Sequence, residues 1–430
     1  MATESDWLIN SLLNMSKKTM IYLLVLAVFF QTFFSFFSPA YDPGNECQHP
    51  ANYFLGSNTA RMKDVIGVKS DDFNLAKIFF NWFPDYHIIC DATSFLFLAK
   101  NFPQSYQERN IYIDHPLYNF FAFIILKPLS LFLNSSSYAV IFGVFIVVNV
   151  ILMIISSILF FLLLLDFISP KNAFISALFL IVSPFTHSLL SQTTSSGIIE
   201  IFVVAVSLWL LNNYRKHSSR NRLIAYSLIF GVLLLGKQIF AISFFVLFLA
   251  WYFGRIREGL IFLFLQFVPT LLWFLYVKFG LHLPYNMVNV TYYDQGTWFL
   301  KSANWQPYQM GRILISALPK FFDSLIYGFL LLPVPLSFYG LYKMDLKNKF
   351  LLYFSLMISF FLLFFGMNYF RDTLSFLLFP IIYPTSVIGL DYLRNFLRKY
   401  SKVLSDIVYI GLIMSILIIA NLNAYILVKG

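Results

Sequence analysis

From residue 138 to residue 165 the chain carries no charged side chain and is almost wholly apolar. An α-helix needs roughly 20 apolar residues to cross a bilayer. Within lipid, only helices and closed barrels satisfy every backbone N–H and C=O. Comparable runs recur along the chain at 19–38, 173–190, 198–211, 223–235, 239–253 and 260–277. Others cover 325–341, 350–365, 374–390 and 407–428. A run of this kind has to be either a buried helix or a membrane span, and so many of them leave only the second choice.

Composition agrees. The 430 residues are 59% hydrophobic and 12% charged, with a mean hydropathy of +0.74. A soluble chain is roughly a quarter charged. No polar segment is long enough to bury a core of its own. The net charge of +10 does not imply nucleic acid, because the basic residues sit in short clusters between apolar runs, the pattern that marks cytoplasmic loops. The first run, 19–38, follows Lys17 and Lys18 and is long enough to span, so it reads as a retained first helix rather than a cleaved leader.

Loop charge then tests the topology. Arg215, Lys216, Arg220 and Arg222 mark one inside loop, Lys343, Lys347 and Lys349 a second, and Arg394, Arg398, Lys399 and Lys402 a third. These agree with one another if each intervening run crosses once. They agree with Lys17 and Lys18 only if one run before residue 212 does not cross. The candidate is 115–133, which Lys127–Pro128 interrupts. A lysine-bearing helix there is expected to lie along the interface.

The expected fold class is therefore all-α: a polytopic transmembrane bundle of about 11 spans, forming one domain over 1–430. Its first outer loop, 39–137, contains interfacial helices, including the amphipathic piece 71–83, and a second outer loop covers 280–320. Both cysteines, Cys47 and Cys90, fall in the first loop, where a disulfide and two separate thiols are both open readings.

This topology gathers Asp42, Glu46, Asp85, Asp91, Arg109, Asp114, His115, Asp294, Arg312, Asn368 and Arg371 on the outer face. A carboxylate in a water-accessible cleft can act as general base on a hydroxyl. Arginine or lysine beside it would serve a lipid-phosphate leaving group. The same residues have plainer readings. Asp91 is placed to cap a helix over 92–100, His115 precedes a proline turn, and Lys237 can snorkel to the interface. Trp298, Trp305 and Tyr308 could stack on sugar rings or anchor the second loop in the interface.

The sequence DATSFLFLAKNF from Asp91, followed by HPLYNF from His115, resembles the first outer loop of C-type (GT-C) glycosyltransferases. That superfamily includes protein O-mannosyltransferases, aminoarabinose transferases and oligosaccharyltransferase catalytic subunits. The sequence SPF from Ser183 and the stretch from Ser191 to Glu200 resemble the second outer loop, although Ser195 or Ser196 stands where many members carry an acid. LLGK ending at Lys237, and NYFR ending at Arg371, resemble later family segments. The resemblance implies transfer of a sugar from a polyprenyl-phosphate donor to a glycan, lipid or protein acceptor. The expected setting is the extracytoplasmic side of a bacterial inner membrane.

In that scheme Asp91 is the base, with Asp42 and Asp85 as rivals. Arg371, Lys237, Arg109, His115 and Arg312 are candidates to bind the donor phosphate. A divalent metal is compatible with this chemistry, but no acidic pair selects a site for one. Membrane lipids are the other expected partners. Two other classes of function fit a chain of this composition. A transporter or lipid flippase would place charges at mid-membrane, often on broken helices, whereas here they gather on one face. A polysaccharide polymerase or ligase would lean on outer-loop arginines, of which the second loop offers mainly Arg312.

Overall fold

The computed structural model describes residues 15–37, 98–108, 116–132, 138–191, 197–236, 254–284, 332–343 and 378–429, with isolated residues between them. All regular elements among the described residues are helical. They are α1 (Lys17–Phe37), the single turn α2 (Ser105–Glu108), α3 (Pro116–Leu129), α4 (Tyr138–Leu164), α5 (Pro170–Val182) and α6 (Pro184–Ser191). After these come α7 (Gly197–Lys216), α8 (Arg220–Leu234), α9 (Ile256–Leu275), α10 (Pro333–Lys343), α11 (Phe379–Arg398) and α12 (Lys402–Lys429). A π-turn, Tyr276–Gly280, ends α9.

Four helical stretches among the described residues are long and apolar enough to cross a membrane: Lys17–Ser35, Val140–Leu164, Gly197–Lys216 and Ile256–Gly280. The chain is thus an all-helical protein with the helices of an integral membrane protein. The expected spans 239–253 and 350–365 lie wholly or almost wholly outside the described residues. One hydrophobic core draws on α1, α3 to α8 and α10 to α12, with Phe262 from α9.

Local chemistry sets the helix ends. Ser169 caps α5 by accepting from the Asn172 amide at 3.3 Å, with Pro170 at the first helical position. Ser219 caps α8 in the same way through Arg222. The apolar run 173–190, expected as one span, is divided into α5 and α6. Pro184 has no N–H to continue the ladder, and it holds Ser183 in an extended conformation (φ −61°, ψ 149°). Hydroxyls replace the missing bonds: Thr186 Oγ1 donates to the Leu180 carbonyl at 2.6 Å, and the Thr186 amide donates to Ser183 Oγ at 3.1 Å.

One end of the bundle is a layer of paired charges. Asp166, just after α4, meets Lys216 and accepts from Asn212 Nδ2 at 2.6 Å, both at the end of α7. Lys171 and Asn172 at the start of α5 reach Asp391 on α11 at 3.5 and 2.6 Å. Arg394 on α11 bonds Asp406 on α12 at 2.7 Å. Tyr214 donates to Glu258 at the start of α9 at 2.7 Å, and Tyr392 reaches the Lys343 carbonyl at the end of α10 at 3.2 Å. The described members Lys216, Lys343 and Arg394 of the three basic clusters read from the sequence therefore share one layer. Arg394 and Arg398, expected in a loop after 374–390, instead lie in the last turns of α11.

Helices α10 and α11 cross closely at two glycines. A Cβ added at Gly340 would overlap the Thr385 carbonyl, and one at Gly389 would overlap the Leu336 carbonyl. Small residues allow backbones in a membrane bundle to approach this far.

Candidate functional site

At the end of the bundle away from the paired charges, the described part of the segment expected as the first outer loop docks on the end of α9. Leu98, Phe102, Tyr106 and Ile113 are buried with Val277 and Leu281 in a second, smaller core. The anchor is Trp273, whose ring stacks on Phe102 (centroids 6.0 Å apart, 3° between planes). Its Nε1–H donates to the Ile113 carbonyl at 2.7 Å. Gln107 Nε2 donates to the Leu281 carbonyl at 3.4 Å, and Ser105 Oγ donates to the Leu98 carbonyl at 2.6 Å. An aromatic stack with a polar tip satisfied is a strong way to hold a loop, since tryptophan combines large apolar area with one directed donor.

Helix α3 is tied down at its first turn. The Leu117 amide donates to the Leu235 carbonyl at the end of α8 (3.2 Å). Tyr118 OH donates to Asn149 Oδ1 on α4 at 2.8 Å, and its ring packs on Phe95 and Phe145. Asn119 Nδ2 donates to Tyr106 OH at 3.2 Å, joining α3 to the loop. With 14 residues, α3 is about 21 Å long at 1.5 Å per residue, short of a hydrocarbon core of about 30 Å. The run 115–133, expected to lie along the interface, is described as α3 and the turn that follows it through Phe132. Pro128 lies in its last turn rather than kinking its middle.

Between the loop turn and α3 lies a cavity of about 490 Å³. Its polar wall is formed by Lys100, Asn101, Gln104, Gln107, Lys127 and Ser130, and its apolar floor by Phe102, Phe123 and Leu126. The described lining contains no acid. Two ammonium groups and several amides suit an anion, but these groups supply no general base.

A second polar cluster sits where α5 breaks into α6. His187 and Gln31 are both buried, with Nδ1 and Nε2 3.1 Å apart. Glu200 is buried in the first turn of α7, an end of the helix that favours negative charge. Among the described residues no group of three or more His, Cys, Asp or Glu gathers around one point.

All eight site residues expected from the sequence (Asp91, Asp42, Asp85, Arg371, Lys237, Arg109, His115 and Arg312) lie outside the described residues. So do Cys47, Cys90, Trp298, Trp305 and Tyr308. The nearest described chain brings two of their neighbourhoods together: Leu117 and Leu235, each two residues from His115 and Lys237, form the backbone bond that fixes α3. Sequence reasoning gave Lys100 and Lys127 no site role. The available signal was a lysine at the end of each of two largely apolar pieces, 95–100 and 116–127, that flank the loop turn.

No protein-family model matches the chain, and no curated protein matches it.

Proposed function

We propose that the chain is an integral-membrane glycosyltransferase of the GT-C type. It takes a sugar from a polyprenyl-phosphate carrier and passes it to a glycan, lipid or protein acceptor on the extracytoplasmic face of a bacterial inner membrane. The observation that carries this reading is α3, a short apolar helix clamped at its first turn by Leu117 and Tyr118 and bordered by a lysine-lined cavity. A lipid-linked donor must present its phosphate at headgroup depth while its tail stays in the bilayer. A short apolar helix beside a cationic cavity supports such a placement.

In this scheme Asp91 accepts the proton of the acceptor hydroxyl as that oxygen attacks the anomeric carbon. The bond from the anomeric carbon to the phosphate oxygen breaks, and polyprenyl phosphate leaves. Arg371 and Lys237, with Arg109, His115 and Arg312, stabilise the charge that develops on the phosphate. Asp42 and Asp85 are the rival bases.

The test uses membranes containing the full chain and a panel of polyprenyl-phosphate-linked tritiated hexoses, and it measures chain-dependent release of polyprenyl phosphate. Replacing the base with its amide (Asp91→Asn, or one of Asp42→Asn and Asp85→Asn) lowers release at least about 100-fold. Full release by all three variants sinks the reading, as does the lack of chain-dependent release from any donor.

The transporter or flippase alternative draws on one observation, the broken helix α5–α6 with His187 and Gln31 buried beside the break. Movement of a labelled lipid across proteoliposomes that is lost in His187→Leu, with donor cleavage absent, would favour it.

A further inference from the structure

We infer that the cavity between residues 100–107 and α3 binds the phosphate headgroup of an anionic membrane amphiphile. Lys100 and Lys127 would hold the phosphate, and the exposed face of α3 would run along the tail. The volume of about 490 Å³ falls within the range of small-ligand sites, roughly 300–1,000 Å³. Lysine is a compact charge on a flexible stem, suited to a phosphate whose approach is not fixed by a bidentate geometry. The side-chain amides of Asn101 and Gln104 add neutral donors to the same wall.

The direction of the tail follows from spacing. Phe120, Ile124 and Lys127 recur at intervals of four and three, which places them on one face of α3. Leu131 continues the face in the turn that follows, closed by its amide to the Pro128 carbonyl. Phe120 is 41% exposed, Ile124 50% and Leu131 79%. An apolar stripe thus leads to the cavity, and a lysine sits where the two meet. A free sugar phosphate or nucleotide would use the cavity and leave the stripe without a role. An amphiphile uses both. The inference deepens the glycosyltransferase reading, which draws on the same cavity, but neither lysine is assigned to the chemical step, so lipid retention and sugar transfer can fail separately.

The full chain, purified in a neutral detergent, is examined by native mass spectrometry with four probes: phosphatidylglycerol, phosphatidylcholine, a polyprenyl monophosphate and inorganic phosphate. The two anionic lipids are retained at least about tenfold better than phosphatidylcholine. Lys100→Gln with Lys127→Gln removes that preference, Lys100→Arg with Lys127→Arg keeps it, and Lys399→Gln at the opposite end leaves it unchanged. Stronger retention of the prenyl phosphate assigns the site to a lipid carrier, and equal retention assigns it to bulk anionic lipid; both uphold the inference. It is overturned if phosphatidylglycerol is held no better than phosphatidylcholine, or if the double glutamine variant, with unchanged thermal stability, retains as much. It is also overturned if inorganic phosphate binds as tightly as the lipids, since the apolar face would then contribute nothing. Asp91→Asn leaves retention intact even where it abolishes transfer, which separates the two readings.

Discussion

The two ends of the bundle are held together by different chemistry. At the basic end, carboxylates from one helix meet cations or amides from another: Asp166 with Lys216 and Asn212, Asp391 with Lys171 and Asn172, Asp406 with Arg394. These contacts tie helix ends to one another. At the other end, Lys100 and Lys127 line an open cavity beside amides and aromatic rings, and the polypeptide around them is held by Trp273, Tyr118 and backbone bonds. Charge that pairs across helices builds the scaffold. Charge that lines a cavity is suited to a ligand.

That contrast can be broken most sharply at Arg394. Its side chain is 14% exposed and its partner Asp406 only 3%. Removing one partner of a buried pair typically costs about 3–5 kcal/mol, because the other charge is left without compensation. Arg394→Met is therefore expected to lower the thermal unfolding temperature in detergent markedly, and Arg394→Met with Asp406→Leu to recover much of the loss. Stability unchanged in the single variant would mean that the pair is not part of the scaffold.

A smaller loss is expected from Gly389→Ala, where the new methyl overlaps the Leu336 carbonyl at the α10–α11 crossing. Overpacking of this kind costs about 1–3 kcal/mol. The same measurement on Gly411→Ala, with nothing within 4 Å of the added Cβ, should show no loss from overlap.

Trp273→Phe probes the opposite end. It removes the Nε1–H bond to Ile113 while leaving an aromatic ring for Phe102. The expected cost is about 1 kcal/mol, with faster amide exchange across residues 98–108 and little change in α11 or α12. Exchange that rises equally in all helices would show that the loop and the scaffold are not separable.

The smallest effects should fall on the lysines. Lys216, 40% exposed against Asp166 at 26%, belongs to the class of surface pairs worth about 0–1 kcal/mol. Replacement of Lys100 and Lys127 by glutamine should remove the preference for anionic lipid while lowering the thermal unfolding temperature less than Trp273→Phe does. A large loss of stability there would return the cavity to the scaffold.

Much of the scaffold is legible in the chain itself. The charge-free run 138–165 becomes α4, Tyr138–Leu164, almost unaltered, and the run after Lys17 becomes α1. The limits of such reading appear at α11. Periodicity ends the helix near residue 390, where charge begins, yet the helix continues to Arg398 because Arg394 finds Asp406 on the next helix. Hydropathy cannot register a partner on another element. At Ser183–Pro184 the sequence contains the break, but not the hydroxyl bonds that let it sit in a buried position. Of the candidate site, the sequence reached the loop and the short helix after it. Asp91, Arg371 and the other residues expected to act there lie outside the described residues.

The sequence by itself determined the helical class and the presence of apolar runs long enough to cross a membrane. Each follows from local composition acting against a bilayer of set thickness, which makes no reference to distant partners. Only the tertiary structure decided which carboxylate pairs with which cation, how Trp273 seizes the first loop, and that Lys100 and Lys127 face one cavity. Those outcomes depend on side chains far apart in the chain meeting at a few ångströms, and no pattern along a single run contains that distance.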